Sequence, residues 1–119
     1  MRRGEIRTVS GGKDYAGKPR PAVIVQDDLF DATDSITLCA FTTDETDAPL
    51  LRLLVQPDAG NGLRAPSRLM VDKITTVHKS RLGPALGHLD DKDMLRLNRA
   101  MLVFLGLATT PRVGRRGVA

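Results

Sequence analysis

Apolar residues fall into short runs separated by glycine, proline and acidic turns, a spacing that predicts strands before anything else. "GEIRTV" (4–9) alternates weakly and predicts a first strand. "PAVIVQ" (21–26) is short, apolar and rich in β-branched residues, and predicts a second, followed by the acidic turn "DDLFDATDS". "ITLCAF" (36–41) predicts a third strand and "LLRLLVQP" (50–57) a fourth, interrupted only by Arg52. "SGGKDYAGKP" (10–19) has three glycines, a proline and no apolar period, which predicts a mobile loop. In "DAGNGLRAPS" (58–67), Asn61-Gly62 suits a tight turn and Pro66 breaks any helix. "RLMVDKITTVHKSRL" (68–82) predicts one bent strand or two short ones.

The period lengthens only near the end of the chain. Asp90 can cap a helix with Asp93 three residues on, and Leu89 and Met94 fit a hydrophobic staple across that start. Met94, Leu97, Met101, Leu102 and Leu105 form one helical stripe, with Lys92, Arg96 and Arg99 elsewhere and Gly106 near the end. The pattern as a whole predicts a mostly β domain over residues 1–108, a small sheet or barrel plugged by a C-terminal helix. Residues 109–119, "TPRVGRRGVA" preceded by a threonine, are expected to fray as a basic tail.

Composition narrows the picture. At 119 residues the chain is one domain, and 41% hydrophobic with 27% charged residues describes a soluble globular protein. "MRRGEIRTV" has no apolar stretch behind its basic residues, and "MLVFLGLA" (101–108) falls far short of the roughly 20 residues of a membrane span. A cytoplasmic location is the default expectation. The single cysteine, Cys39, reads as a buried strand residue. Net charge is +4, concentrated at the ends: six basic residues against Glu5 and Asp14 in 1–20, and Arg112, Arg115 and Arg116 after residue 108. The stretch between carries nine basic and twelve acidic side chains. Local positive potential of this kind favours a polyanion or an acidic protein as partner.

The chemical inventory is short. His78 and His88 lie on separate segments, and no H-x-x-x-H or C-x-x-C spacing occurs, so neither a metal nor another cofactor is expected. "GGKDYAGKP" lacks the ending of a phosphate loop, no G-x-S-x-G occurs, and 3% aromatics leave little for base stacking. His78, in "TVHKSRL", is expected to face outward on a strand, and His88 immediately precedes the helix cap. Arginine and threonine near loops remain, a set able to bind phosphate without a metal. In "KPRPAVIVQDD" (18–28), Pro19 and Pro21 restrict Arg20 on both sides. Arg20 either caps a strand end as a solvated charge or aims a preset guanidinium at an anion.

Taken together, "RRGEIRTV … GKPRPAVIVQDDLF … ITLCAFTTDETDA … SRLMVDKITTVHKSRLG … LGHLDDKDMLRLN" resembles the MazF/PemK (Kid) toxins of toxin–antitoxin systems, from about Arg3 to Leu107. The resemblance implies a compact, twisted, SH3-like β-barrel of the CcdB/PemK type with a C-terminal helix, working as a homodimer. It implies metal-independent, sequence-specific cleavage of single-stranded RNA, and a cognate antitoxin protein as partner. By the same resemblance Arg20 contacts the scissile phosphate and Thr42 hydrogen-bonds it, with Thr43 as the adjacent alternative. Asp72 falls on an acidic residue that the Kid-like branch uses near the cleavage site. Met70 stands where Kid has arginine, with Arg68 as a candidate replacement. Asp14 lies beside Tyr15, where several members have an acid, and Arg7 stands where an aromatic is common. Lys13, Lys18 and Arg68 are candidate RNA-binding residues, the first two on a loop expected to close over RNA. Two other readings stay open. One is a gyrase-poisoning toxin of the CcdB type, disfavoured by the absence of tryptophan and the "GRRGVA" ending; the other is a non-catalytic nucleic-acid-binding barrel.

Overall fold

A computed structural model describes residues 1–10 and 18–108. Lys13, Asp14, Tyr15, most of the 10–19 loop and the tail 109–119 therefore lie outside the described residues. Among the described residues, seven strands and one α-helix follow in order: β1 (Glu5–Val9), β2 (Arg20–Ile24), β3 (Ser35–Thr42), β4 (Arg52–Val55), β5 (Ser67–Met70), β6 (Thr75–His78), β7 (Leu82–His88) and α1 (Asp91–Phe104). The result is mostly antiparallel β with one C-terminal helix, as the hydrophobic pattern predicts. No described helix is long and apolar enough to cross a membrane.

The strands run β4-β5-β3-β2-β1-β7 across the sheet, and β6 also pairs with β3. At eight residues β3 is long enough to be shared. Its first half takes β6, from Ser35↔His78 to Leu38↔Thr75. Its last two residues take β5, as Phe41↔Leu69 and Thr42↔Arg68. The segment 68–82 is thus two short strands, joined by a single 3₁₀ turn (Val71–Lys73) anchored by the fully buried Val71.

Both faces of the central strands are covered, which is why their sequences read as unbroken apolar runs. On one face Ile6, Val23, Cys39, Phe41 and Leu69 pack with Leu89 and Leu97 in the core beneath the helix. On the other, Val9, Ala22, Ile24, Ile36, Leu38, Ala40 and Val77 form a second cluster flanked by Met70 and Leu82. Cys39 is inert in this setting: burial pushes its thiol up to about 12.

Asp90 caps the helix as expected, its carboxylate accepting from the Asp93 N–H at 2.8 Å. The apolar stripe ends sooner than the sequence suggests. Leu97 is fully buried and Met94, Ala100 and Met101 pack partly, but Leu102 and Leu105 are 43% and 62% exposed. The last turn instead meets the 48–51 turn, where Val103 and Phe104 line a shallow apolar groove.

The early R-G-E-I motif serves this fold. Gly4 adopts φ 91°, its N–H donates to the Ile24 carbonyl at 2.8 Å, and its carbonyl accepts from Leu89 at 2.9 Å. Arg3 donates to the Val25 carbonyl (2.7 Å) and to the Asn98 side chain on α1 (2.6 Å), tying the N-terminus, β2 and the helix together.

Candidate active site

The site begins where β2 and β3 part. Their ladder ends at Ala22↔Ala40, one residue short of Pro21, which has no N–H to continue it. Carried two residues further, the same register points Arg20 toward Thr42. Each lies two positions from Ala22 and Ala40, hence on the same face of the sheet as those residues, at the rim of the second apolar cluster. Arg20 also pairs with Val9 of β1, and Thr42 with Arg68 of β5, so each is anchored by its outer neighbour.

Arg20 and Thr42 line a single cleft of about 420 Å³, together with Ala40, Phe41, Met70, Lys73, Thr75, Thr76, Val77 and Arg81. Three cations and three hydroxyls face this space, and no described lining residue is a carboxylate or an imidazole. The Arg20 Nε is buried without a hydrogen-bond partner among the described residues, so the guanidinium sits partly desolvated, where its charge is less screened than in open water. The Thr42 hydroxyl oxygen accepts from the Asp44 N–H at 3.1 Å, which leaves its own proton to donate. Thr76 is engaged across the strands with Thr37, oxygen to oxygen at 2.6 Å. Arg81 donates from Nε to the Ser10 carbonyl (2.8 Å) and accepts from the Ser10 N–H (3.0 Å), clamping the end of β1 beside the cleft. Such a cleft can seat a phosphodiester and concentrate positive charge on it.

The sequence profile of the PemK-like, MazF-like toxins of type II toxin–antitoxin systems matches residues 2–105. The chain belongs to this toxin family. It is 54% identical over 108 residues to the probable endoribonuclease MazF of Mycolicibacterium smegmatis, covering 91% of this chain and 99% of that one. It is 28% identical over 92 residues to the endoribonuclease EndoA of Bacillus subtilis, covering 76% and 79%. Among solved structures, a mycobacterial endoribonuclease in complex with its cognate antitoxin shares the fold at TM-score 0.75, with 23% identity over 92% of this chain and 99% of that one. The Mycobacterium tuberculosis toxin MazF-mt6 shares it at TM-score 0.74, with 24% identity over 87% and 98%.

Not every candidate of the toxin's sequence reaches the cleft. Thr43 points to the opposite face, into a groove with Thr8, Pro21 and Leu63. Asp72 is turned away, its carboxylate held by the Arg52 guanidinium in a two-pronged pair (Nε to Oδ1 2.9 Å, Nη2 to Oδ2 3.1 Å). Met70 lines the cleft, but Arg68, its candidate replacement, lies with Arg52 and Arg96 in a neighbouring pocket, donating weakly to the Asp44 carbonyl at 3.5 Å. Lys18 is exposed on the approach to β2. Arg7 turns to Glu5 and to the Gly83 carbonyl. His78 is exposed as expected, and its ring caps a 3₁₀ turn by accepting from the Ser80 N–H at 3.1 Å. Lys73, Thr75, Thr76 and Arg81 were missed as site residues. "DKITTVHKSR" carries cations and hydroxyls at close spacing, but only its pairing with β3 brings them beside Arg20.

The Arg52–Asp72 pair makes a prediction of its own. Arg52 holds the Asp72 carboxyl below its ordinary value near 3.8, so the pair's contribution is full above that pH and is lost as pH falls through the lowered value. The unfolding midpoint of the wild-type toxin is expected to drop more steeply below about pH 4 than that of Asp72→Asn. Parallel curves from thermal melts across that range would show that the pair is not coupled to folding.

Proposed function

We propose that residues 1–108 are a single toxin domain that cleaves single-stranded RNA as a sequence-specific, metal-independent endoribonuclease. The observation that carries this reading is Arg20 and Thr42 in one cationic, hydroxyl-lined cleft. The endoribonuclease names of the Mycolicibacterium smegmatis and Bacillus subtilis relatives support the same activity. In the reaction, a ribose 2′-hydroxyl attacks its adjacent phosphorus and the P–O5′ bond breaks. The proton lost by the 2′-oxygen is balanced by one gained at the leaving 5′-oxygen. The products are a 2′,3′-cyclic phosphate and a 5′-hydroxyl.

Negative charge builds on the non-bridging oxygens as the fifth bond to phosphorus forms. The Arg20 guanidinium meets that charge from a backbone restricted by two prolines, so little reorganisation precedes the chemistry. Thr42 donates to one of the same oxygens and fixes the phosphate's orientation. The toxin acts as a homodimer and is silenced by a cognate antitoxin protein; the antitoxin as partner is supported by a mycobacterial endoribonuclease of the same fold that is found in complex with its cognate antitoxin.

Defined single-stranded RNA incubated with the purified protein in EDTA tests this directly. Cutting at one short motif, resistant to EDTA, leaving 5′-hydroxyl ends and suppressed by the antitoxin, is the expected result. Binding without cutting would point instead to a non-catalytic module, and trapped gyrase–DNA complexes to a poison of the CcdB type.

A further inference from the structure

Lys73 closes the 3₁₀ turn between β5 and β6 at the edge of the Arg20 cleft. Its two predecessors are fixed: Val71 is fully buried, and Asp72 is gripped by Arg52. Lys73 itself is exposed and has neither an ion pair nor a side-chain hydrogen bond among the described residues. It faces a cleft that already holds Arg20 and Arg81, with no described carboxylate lining it. Three cations around one space repel unless an anion is supplied, and Asp72, the acid next in sequence, is committed elsewhere.

The proposed reaction assigns Arg20 and Thr42 to one phosphodiester, and Arg81 already commits its Nε to the Ser10 carbonyl. Among the described residues, Lys73 is left as an uncommitted charge. A compact ammonium on a flexible stem suits contact with a phosphate as a point charge rather than a geometric fork. We propose that Lys73 is a substrate-binding residue that takes the phosphate neighbouring the one at Arg20. This inference rests on reading the cleft as the RNA site. A contact of this kind sets affinity and salt dependence and carries no base preference.

The test is binding of a 2′-O-methyl single-stranded oligonucleotide, which lacks the attacking hydroxyl and cannot be cut. Fluorescence anisotropy from about 50 to about 300 mM salt gives the slope of log affinity against log salt. Lys73→Gln is expected to bind more weakly at low salt and to reduce the magnitude of that slope by about 0.7, the value of one single-strand phosphate contact. Lys73→Arg should restore both, and Lys92→Gln, an exposed helix residue outside the cleft, should change neither. An unchanged slope in Lys73→Gln, an equal loss in Lys92→Gln, or no salt-dependent binding by the wild type overturns the proposal. Cleavage of the unmodified RNA is scored separately. Cutting with an unchanged Lys73→Gln slope defeats only the lysine contact, whereas an intact slope effect without cutting defeats only the nuclease reading.

Discussion

Arg20→Ala is expected to lower single-turnover RNA cleavage by at least about a hundredfold, the usual cost of removing one preorganised donor from a developing oxyanion. Folding should be unaffected. Arg20 contributes its backbone to β2, where it pairs with Val9, and alanine keeps that backbone. The buried Nε has no partner to lose among the described residues, so truncation removes an unsatisfied donor rather than a bond. Arg20→Lys separates the two parts of the effect. It keeps the charge but loses the planar fork, and its rate should fall between alanine and wild type. Single-turnover rates set beside thermal melts decide the matter. Fully active, natively folded Arg20→Ala would end the phosphate-stabilisation account, whereas an inactive variant with a lowered melting point would leave Arg20 as a structural residue.

What could be read from the sequence was what is local. β2 and β3 announce themselves as apolar runs, and the helix start as a cap with its staple, because each signal lies within a few residues of its own effect. β7 gave no such signal. "LGPALGH" contains two glycines and a proline, residues that ordinarily argue against a strand. It forms because β1 supplies a partner, from Val9↔Leu82 to Glu5↔His88, with register shifts that accommodate Pro84. The site divides in the same way. Arg20 is conspicuous between its prolines, and Thr42 ends a legible strand. Lys73 and Arg81 reach the cleft only through the pairing of β6 with β3, which no single stretch encodes. The engagement of Asp72 is hidden for a similar reason, since its partner Arg52 lies 20 residues away on another strand.

Gly87→Ala is expected to be among the most destabilising substitutions in the chain, near or above the roughly 3 kcal/mol upper end of ordinary overpacking. A Cβ at Gly87 would lie 2.3 Å from the Gly60 carbonyl oxygen and 2.6 Å from the Asn61 carbonyl carbon. Both are backbone atoms of a turn that cannot step aside. Asn61 is 2% exposed, and its side-chain oxygen accepts from the N–H groups of Asp58 (3.1 Å) and Leu63 (2.9 Å). Its amide donates to the Gln56 carbonyl at 2.9 Å, and the His88 N–H donates to the Gly60 carbonyl at 2.8 Å. The strain would therefore fall on β7, the partner of β1, and from β1 on the Ser10–Arg81 clamp beside the cleft. Gly60→Ala provides the control within the same turn. Its Cβ would meet only the Asp58 side chain, at 3.4 Å, and it should stay within about 0.5 kcal/mol of wild type. Urea unfolding of the two variants separates them by midpoint. Equal midpoints would mean that the 58–63 turn yields freely, and that β7 is not locked to it as the close backbone approach requires.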